Sequence, residues 1–324
     1  MNRITISKDY VVDILKEGQK PAAFCESGDT AVFETRDCYD DNDITEELPL
    51  GSSGHDGLEN PATGPLYVKG AEPGDVLKVE ILDIRLREYG IMRTSPTDGA
   101  FHHLYEKRTA RRFYFEKRTE EGDKGGEECC AQEKLGFRFD DRLWVDCQVM
   151  IGVIGTAAAG DGVLTITPGT HGGNLDCTKI GVGTSLYLPV NTPGALLAIG
   201  DLHARMGDGE MMICGMETAG TVTVKVTVLK KEAAGPVREA VPFLETAEAV
   251  MSIQSAETLD EAAEAAARKM EHFLTEAAGL DDVNAGMLLS LMGNLVVCQI
   301  VNPLKTVRCE LTKTVLERYG VKLP

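Results

Sequence analysis

Residues 221–229 read TVTVKVTVL. Valine recurs at every second position with Thr or Lys between, the period of a strand that buries one face and wets the other. Working outward, DVLKVEILDI (75–84) follows the turn signal AEPGD, and GVLTIT (162–167) and TSLYLPV (184–190) are shorter runs of the same kind. The chain spreads 34 Gly and 13 Pro mostly between such runs, which favours a sandwich or barrel over a doubly wound sheet. The expected fold class is therefore mainly β.

The tail changes character. Thr258 and Glu261 form a capping-box pattern ahead of DEAAEAAARKMEHFLTEAAG, and Gly279 supplies a stop, so a helix is expected over 259–278. The uncharged run AGMLLSLMGNLVVCQIV (285–301) predicts a second helix, buried or oligomer-facing, ending before Pro303. It is short of the roughly 20 apolar residues of a membrane span. KTVRCEL then reads as a strand and TKTVLERYG as a short helix. A polar excursion covers 106–141 and reads as a solvated hairpin or flap. The expected division is a β-rich part over 1–150, a second over 151–245 and an α/β segment over 246–324, forming one integrated unit.

With 33 Lys+Arg against 51 Asp+Glu, the net charge of −18 excludes the basic footprint that nucleic acid and anionic membranes require. The first residues lack a basic flank followed by an apolar stretch, so a cytoplasmic location is expected. Nine cysteines without a CxxC pair, including adjacent Cys129 and Cys130, fit reduced thiols better than a disulfide scaffold.

Two glycine-rich stretches concentrate ionisable side chains: THGGNLD (170–176) and GDLHARMGDGE (200–210). In extended chain, residues two apart share a side, so Asp201 with His203, and Asp208 with Glu210, can present donors together. His171 and Asp176 can turn toward a common point through Gly172 and Gly173. Three or more such N or O donors are what a metal site needs. The competing role for each is a turn former or a hydrogen-bonded structural residue. Other patterns fail on spacing: GVIGTAAAGDG (152–162) lacks the Lys of a phosphate loop, GVGTSL lacks a third glycine, and no GxSxG occurs. Cys38, beside Asp37, has no histidine near it in sequence to activate it as a nucleophile.

Several strings together resemble the acetamidase/formamidase family: SGDTAVFETRDC (27–38), NPATGPLYVKGAEPGDVLKVEILDI (60–84), MIGVIGTA (150–157), PGTHGGNLD (168–176), LYLPVNTPGALLAIGDLHARMGDGE (186–210) and NPLKTVRCEL (302–311). The resemblance implies a sandwich-like part joined to a barrel-like part with an α/β tail, assembled as a homo-oligomer. It implies hydrolysis of the carbon–nitrogen bond of a short neutral amide, with a divalent metal, zinc or alternatively calcium. Asp201 and His203 would bind the metal, with His171 or Asp176 completing the shell. Glu217 or Glu210 would carry the proton, and Asp208 and Asp37 are further catalytic candidates. Asn174, Thr63, Gly172 and Gly173 would frame the substrate.

The chain departs from the family pattern at DCYDDNDI (37–44), where a Gln is missing. It departs again at RTSPTDGAFHHLYEKR (93–108), with His102 and His103, and at Asn294, where an Asp is usual. These departures leave two alternatives open: a lactam, cyclic imide or urea/guanidine-type substrate, and a non-catalytic member kept for binding or assembly.

Overall fold

The computed structural model describes residues 2–42, 44, 58–119 and 133–324. Two nine-stranded sheets carry the fold. The first runs in the order Arg3–Ile6, Thr30–Thr35, Gly220–Leu229, Val76–Leu86, Ser185–Pro189, Phe243–Glu245, Ala249–Ala256, Lys305–Thr312, Asn294–Gln299. The Val/Thr strand lies inside this sheet: Val222, Val224 and Val226 are fully buried, and the strand pairs antiparallel with Thr30–Thr35 on one side and Val76–Leu86 on the other.

The second sheet is built around Leu197–His203, which pairs with Met150–Gly155 along one edge. Ala62–Val68 and then the two-residue strand Glu217–Thr218 share its other edge. Glu217–Thr218 leads on to Tyr89–Arg93 and Ala110–Tyr114. The inner faces meet in one core, with Phe33, Leu77 and Val224 of the first sheet sharing a cluster with Leu66, Ile151, Ile199 and Leu202 of the second. At 25 cal/mol per Å2 of apolar area, such side chains each contribute about 1.5–3 kcal/mol when buried. The sandwich expectation holds, but neither sheet closes on itself, which corrects the barrel-like part.

The helix Leu259–Ala278 begins at the capping box of Thr258 and Glu261 and stops at Gly279 in the left-handed region. It lays Ala262, Ala266, Met270, Phe273 and Leu274 on the outer face of the first sheet, against Phe243, Val250 and Leu311. The expected helix over 285–301 is corrected. A helix occupies Asp282–Met292, and after Gly293 the chain becomes the strand Asn294–Gln299, paired with Lys305–Thr312. Val296 and Val297 are β-branched, and an open sheet edge offers ladder bonds that a continued helix would forgo.

In the polar excursion, Glu133–Arg138 pairs with Glu116–Thr119 on one side and with Trp144–Asp146 on the other, in a separate three-stranded sheet. Cys129 and Cys130 lie outside the described residues. No helix among the described residues is long and apolar enough to cross a membrane.

Candidate active site

Asp201 and His203 end the strand Leu197–His203, Glu217 faces them from the paired strand, and Asp176 and Glu210 are the last residues of THGGNLD and GDLHARMGDGE. All five are at most 6% exposed. His203 Nε2 stands 3.1 Å from Glu217 Oε1, 3.4 Å from Asp201 Oδ1 and 3.9 Å from Asp176 Oδ1. The donor atoms of Asp176, His203 and Glu210 lie within 4.8 Å of one another, and so do those of Cys38, Asp201 and Glu217.

The carboxylates share a pattern. One Asp176 oxygen accepts from Asn302 Nδ2 (2.6 Å), one Asp201 oxygen from Asn60 Nδ2 (3.1 Å) and one Glu217 oxygen from the Gly215 N–H (2.9 Å). The other oxygens, Asp176 Oδ1, Asp201 Oδ1 and Glu217 Oε2, are buried without a hydrogen-bond partner, as are Glu210 Oε2 and both ring nitrogens of His203. Buried acceptors are almost always satisfied, so this many orphans around one imidazole form a donor set that could hold a cation. A Cβ on Gly152 would fall 2.5 Å from Asp201 Oδ2 and 2.6 Å from Asp176 Oδ1, so only glycine leaves room there.

Electrostatics agree. Burial, then the neighbouring Asp201, pushes the Asp176 carboxyl up to about 6, and burial, then Glu217, pushes Asp201 up to about 6. Glu210 is held well above the carboxylate range by burial and then Asp176. Burial lowers the His203 imidazolium's affinity for its proton, but Glu217 and Asp201 outweigh it and hold the group well above its usual value.

Backbone strain accompanies the cluster. Asp176, Asp201 and Glu210 sit at φ of 43°, 54° and 44°, in the left-handed region that L residues avoid. Each such residue costs of order 1–3 kcal/mol, held by the surrounding structure and spent on aiming a side chain.

Not every expected residue joins. The Asp208 carboxylate is gripped by Arg308 (Nη1–Oδ1 2.7 Å, Nη2–Oδ2 2.8 Å) and by Thr178, so Asp208 and Glu210 point apart. Extended-chain alternation fails there because Glu210 has turned left-handed. His171 belongs to neither donor group; its Nε2 is buried without a partner, and burial lowers its pKa to about 4.

Asp37 organises a turn instead, accepting from the Tyr39 and Asp41 N–H groups (2.9 Å each) and from Arg87. That turn delivers Cys38 and Tyr39 to the cavity. Burial and then Glu217 keep the Cys38 thiol protonated, which argues against a thiolate nucleophile. Thr63, on the second sheet, is spent on a bond to the first, donating to the Glu34 carbonyl (2.7 Å). Gly172 and Gly173, at φ of 94° and 78°, shape the turn behind the site. His102 and His103 are exposed, and Asn294 opens the edge strand.

In front of the cluster lies a cavity of about 510 Å3 whose wall includes Asn174, Asp201, Glu210 and Glu217, together with Asn60, Arg93 and Asn302. Asn60, Asn302, Gly152 and Arg93 join the site from outside the two glycine-rich stretches. The two asparagines share one signal: each directly precedes a proline within a quoted string.

A sequence profile of the Acetamidase/Formamidase family matches residues 145–292. The chain is similar to an acetamidase from Bacillus halodurans, at 46% identity and a TM-score of 0.87 over 98% of this chain and 100% of that one. It is also similar to a predicted acetamidase/formamidase from Thermoanaerobacter tengcongensis, at 36% identity and a TM-score of 0.85 over 99% of each chain. A formamidase from Methylophilus methylotrophus is 30% identical over 210 residues, 52% of this chain and 51% of that protein. The chain spans about half the length of the curated relatives it matches.

Proposed function

Because the chain belongs to the acetamidase/formamidase family, we propose that it hydrolyses the carbon–nitrogen bond of a short amide, releasing ammonia and a carboxylate, at a divalent metal held by the buried acids. The observation that carries this reading is the convergence of the unpartnered Asp201 Oδ1 and Asp176 Oδ1 on His203. Asp176, His203 and Glu210 would hold the ion, with Asp201 beside them. An imidazole among the donors favours zinc, since calcium takes oxygen ligands.

When bound, such an ion polarises the amide carbonyl and brings the pKa of water from 15.7 toward about 7. The chain's own residues do the rest. Glu217 is pinned through one oxygen by the Gly215 N–H, and its second oxygen, unpartnered, belongs to a residue on the cavity wall. It would take the water's proton and return it to the departing nitrogen, a transfer worth about 10²–10⁴ in rate. Asn174 lines the cavity with its side-chain oxygen lacking a donor, which suits an amide N–H of the substrate.

The seven described cysteines are all free, in keeping with a reducing cytoplasm. Val283, Met287 and Leu291 are at least 61% exposed on one helix, an apolar strip that suits a homo-oligomer.

The test is metal analysis of the purified protein paired with ammonia release from formamide, acetamide and longer amides, with and without chelator. Turnover that needs the metal, and a fall of at least ~100-fold in Glu217→Gln with metal content retained, are expected. Turnover untouched by complete metal removal would sink the reading.

A further inference from the structure

The cavity is far larger than a three-heavy-atom amide requires, and its size falls within the ~300–1,000 Å3 of sites built for bigger ligands. Arg93 ends the strand Tyr89–Arg93, where Ile91 is the register partner of Glu217. Residues two apart on a strand share a face, so Arg93 stands one step, ~7 Å, beyond the Glu217 position on the side of the sheet that faces the cavity. Its backbone is fixed there by Cys214, whose Sγ accepts from the Arg93 N–H (3.3 Å) and donates to the Arg93 carbonyl (3.4 Å).

The guanidinium has no matching restraint. Its Nε and Nη1 are buried without a hydrogen-bond partner, and its aromatic neighbour Tyr39 lies 5.8 Å away, centroid to Cζ. The other groups along that part of the wall are already engaged: the Asp98 carboxylate accepts from the Ser95 and Thr97 hydroxyls, and Lys305 Nζ donates to the Asn302 carbonyl. A permanently charged planar fork with Nε and Nη1 unpartnered is suited to a carboxylate, which can take two of its N–H groups at once.

We propose that the amide hydrolysed here carries an anionic far end, a carboxylate about two methylenes from the amide carbonyl, which pairs with Arg93 while the amide faces Glu217. The proposal rests on the hydrolase reading above and names its substrate class, the monoamide of a short dicarboxylic acid. Water supplies the oxygen that bonds to the carbonyl carbon, the C–N bond breaks, and nitrogen leaves as ammonia with the proton from water. The new carboxylic acid gives water's second proton to the ammonia, so the products are a dicarboxylate and ammonium, with no oxidant or second reactant. Arg93 is a specificity residue and takes no proton.

The test compares succinamate with butanamide, which have similar length and differ in the terminal charge, in the wild-type protein, Arg93→Met and Arg93→Lys. The wild type should prefer succinamate in kcat/KM by at least ~100-fold, the scale of discrimination expected when a buried polar group loses its partner. Arg93→Met should bring that ratio close to one with metal content unchanged, and Arg93→Lys should fall between. Calorimetric titration with succinate and butyrate reads the same anchor without turnover: succinate should bind the wild type at least ~10-fold more tightly than butyrate, and Arg93→Met should erase the difference. Equal use of the two amides by the wild type, or a ratio unchanged in Arg93→Met, overturns the proposal and leaves the hydrolase reading standing. If no amide releases ammonia the hydrolase reading fails, and the succinate titration alone decides on the anchor. Should Arg93→Met fail to fold, Arg93→Lys decides, since an unchanged ratio there with weakened binding of both acids alike refutes an anion anchor.

Discussion

Replacing Asp201 by Asn should stabilise the metal-free chain and weaken the metal-loaded one. Burial, then Glu217 beside it, lifts the Asp201 carboxyl from 3.8 to about 6, a rise that costs the folded state about 3 kcal/mol once the group is ionised. The folded chain holds this proton more tightly than the unfolded chain does. The penalty is therefore complete above the folded value near 6 and absent below the unfolded value near 3.8. Asp176, lifted to about 6 by burial and then Asp201, acts in the same direction. Metal-free wild type should consequently gain stability as pH falls from about 7.5 toward 4, the reverse of ordinary acid destabilisation.

Asn at 201 can still accept from Asn60 Nδ2 and carries no charge. In chelator at pH near 7.5 it should be more stable than wild type by about 3 kcal/mol, or roughly 4 °C in melting temperature for a chain of this size, and the gap should close near pH 4. In zinc the order should reverse, because the wild type gains about 4 kcal/mol at a thousandfold excess over Kd and a set with one fewer anion gains less. Thermal melts in chelator and in zinc, at both pH values, read all of this. A variant that melts below wild type in chelator at the higher pH refutes the idea that these acids repel one another without a cation.

Two further substitutions test the surroundings. Gly152→Ala should lose metal by at least ~10-fold while keeping its circular dichroism, since the new methyl would press on the Asp176 and Asp201 oxygens; full metal content there would mean the cradle is looser than it looks. Asp208→Asn should cost about 1–3 kcal/mol in denaturant unfolding, discounted for its 38% exposed carboxylate, and leave metal content unchanged because its role is to hold Arg308; loss of metal would refute that purely structural role.

The alternation of 221–229 and the Thr258/Glu261 capping box were legible because both are local: period and cap act within a few residues. The stretch 285–301 was not, since an uncharged apolar run is compatible with either element and only the open edge beside Lys305–Thr312 decides it. In the site, the Asp201/His203 pairing followed from two-residue spacing, and the structure sets the two side chains 3.4 Å apart. The same spacing misled at Asp208/Glu210, where a left-handed residue intervenes and Arg308, 100 positions away, captures the first carboxylate. Asn60 and Asn302 reach Asp201 and Asp176 across 141 and 126 residues, and no local pattern encodes a contact of that range.

The turn between the last two strands of the first sheet contributes no coordinating atom, yet Asn302 on it grips both the Asp176 carboxylate and the Asn174 carbonyl, and Gln299 bridges to Gly209 beside Glu210. A protein clipped after 292, where the matched profile stops, would keep every acid and lose the hand that steadies one of them. The tail thus acts on the centre through Asn302, whose side chain orients one acid of the cluster from 126 positions away.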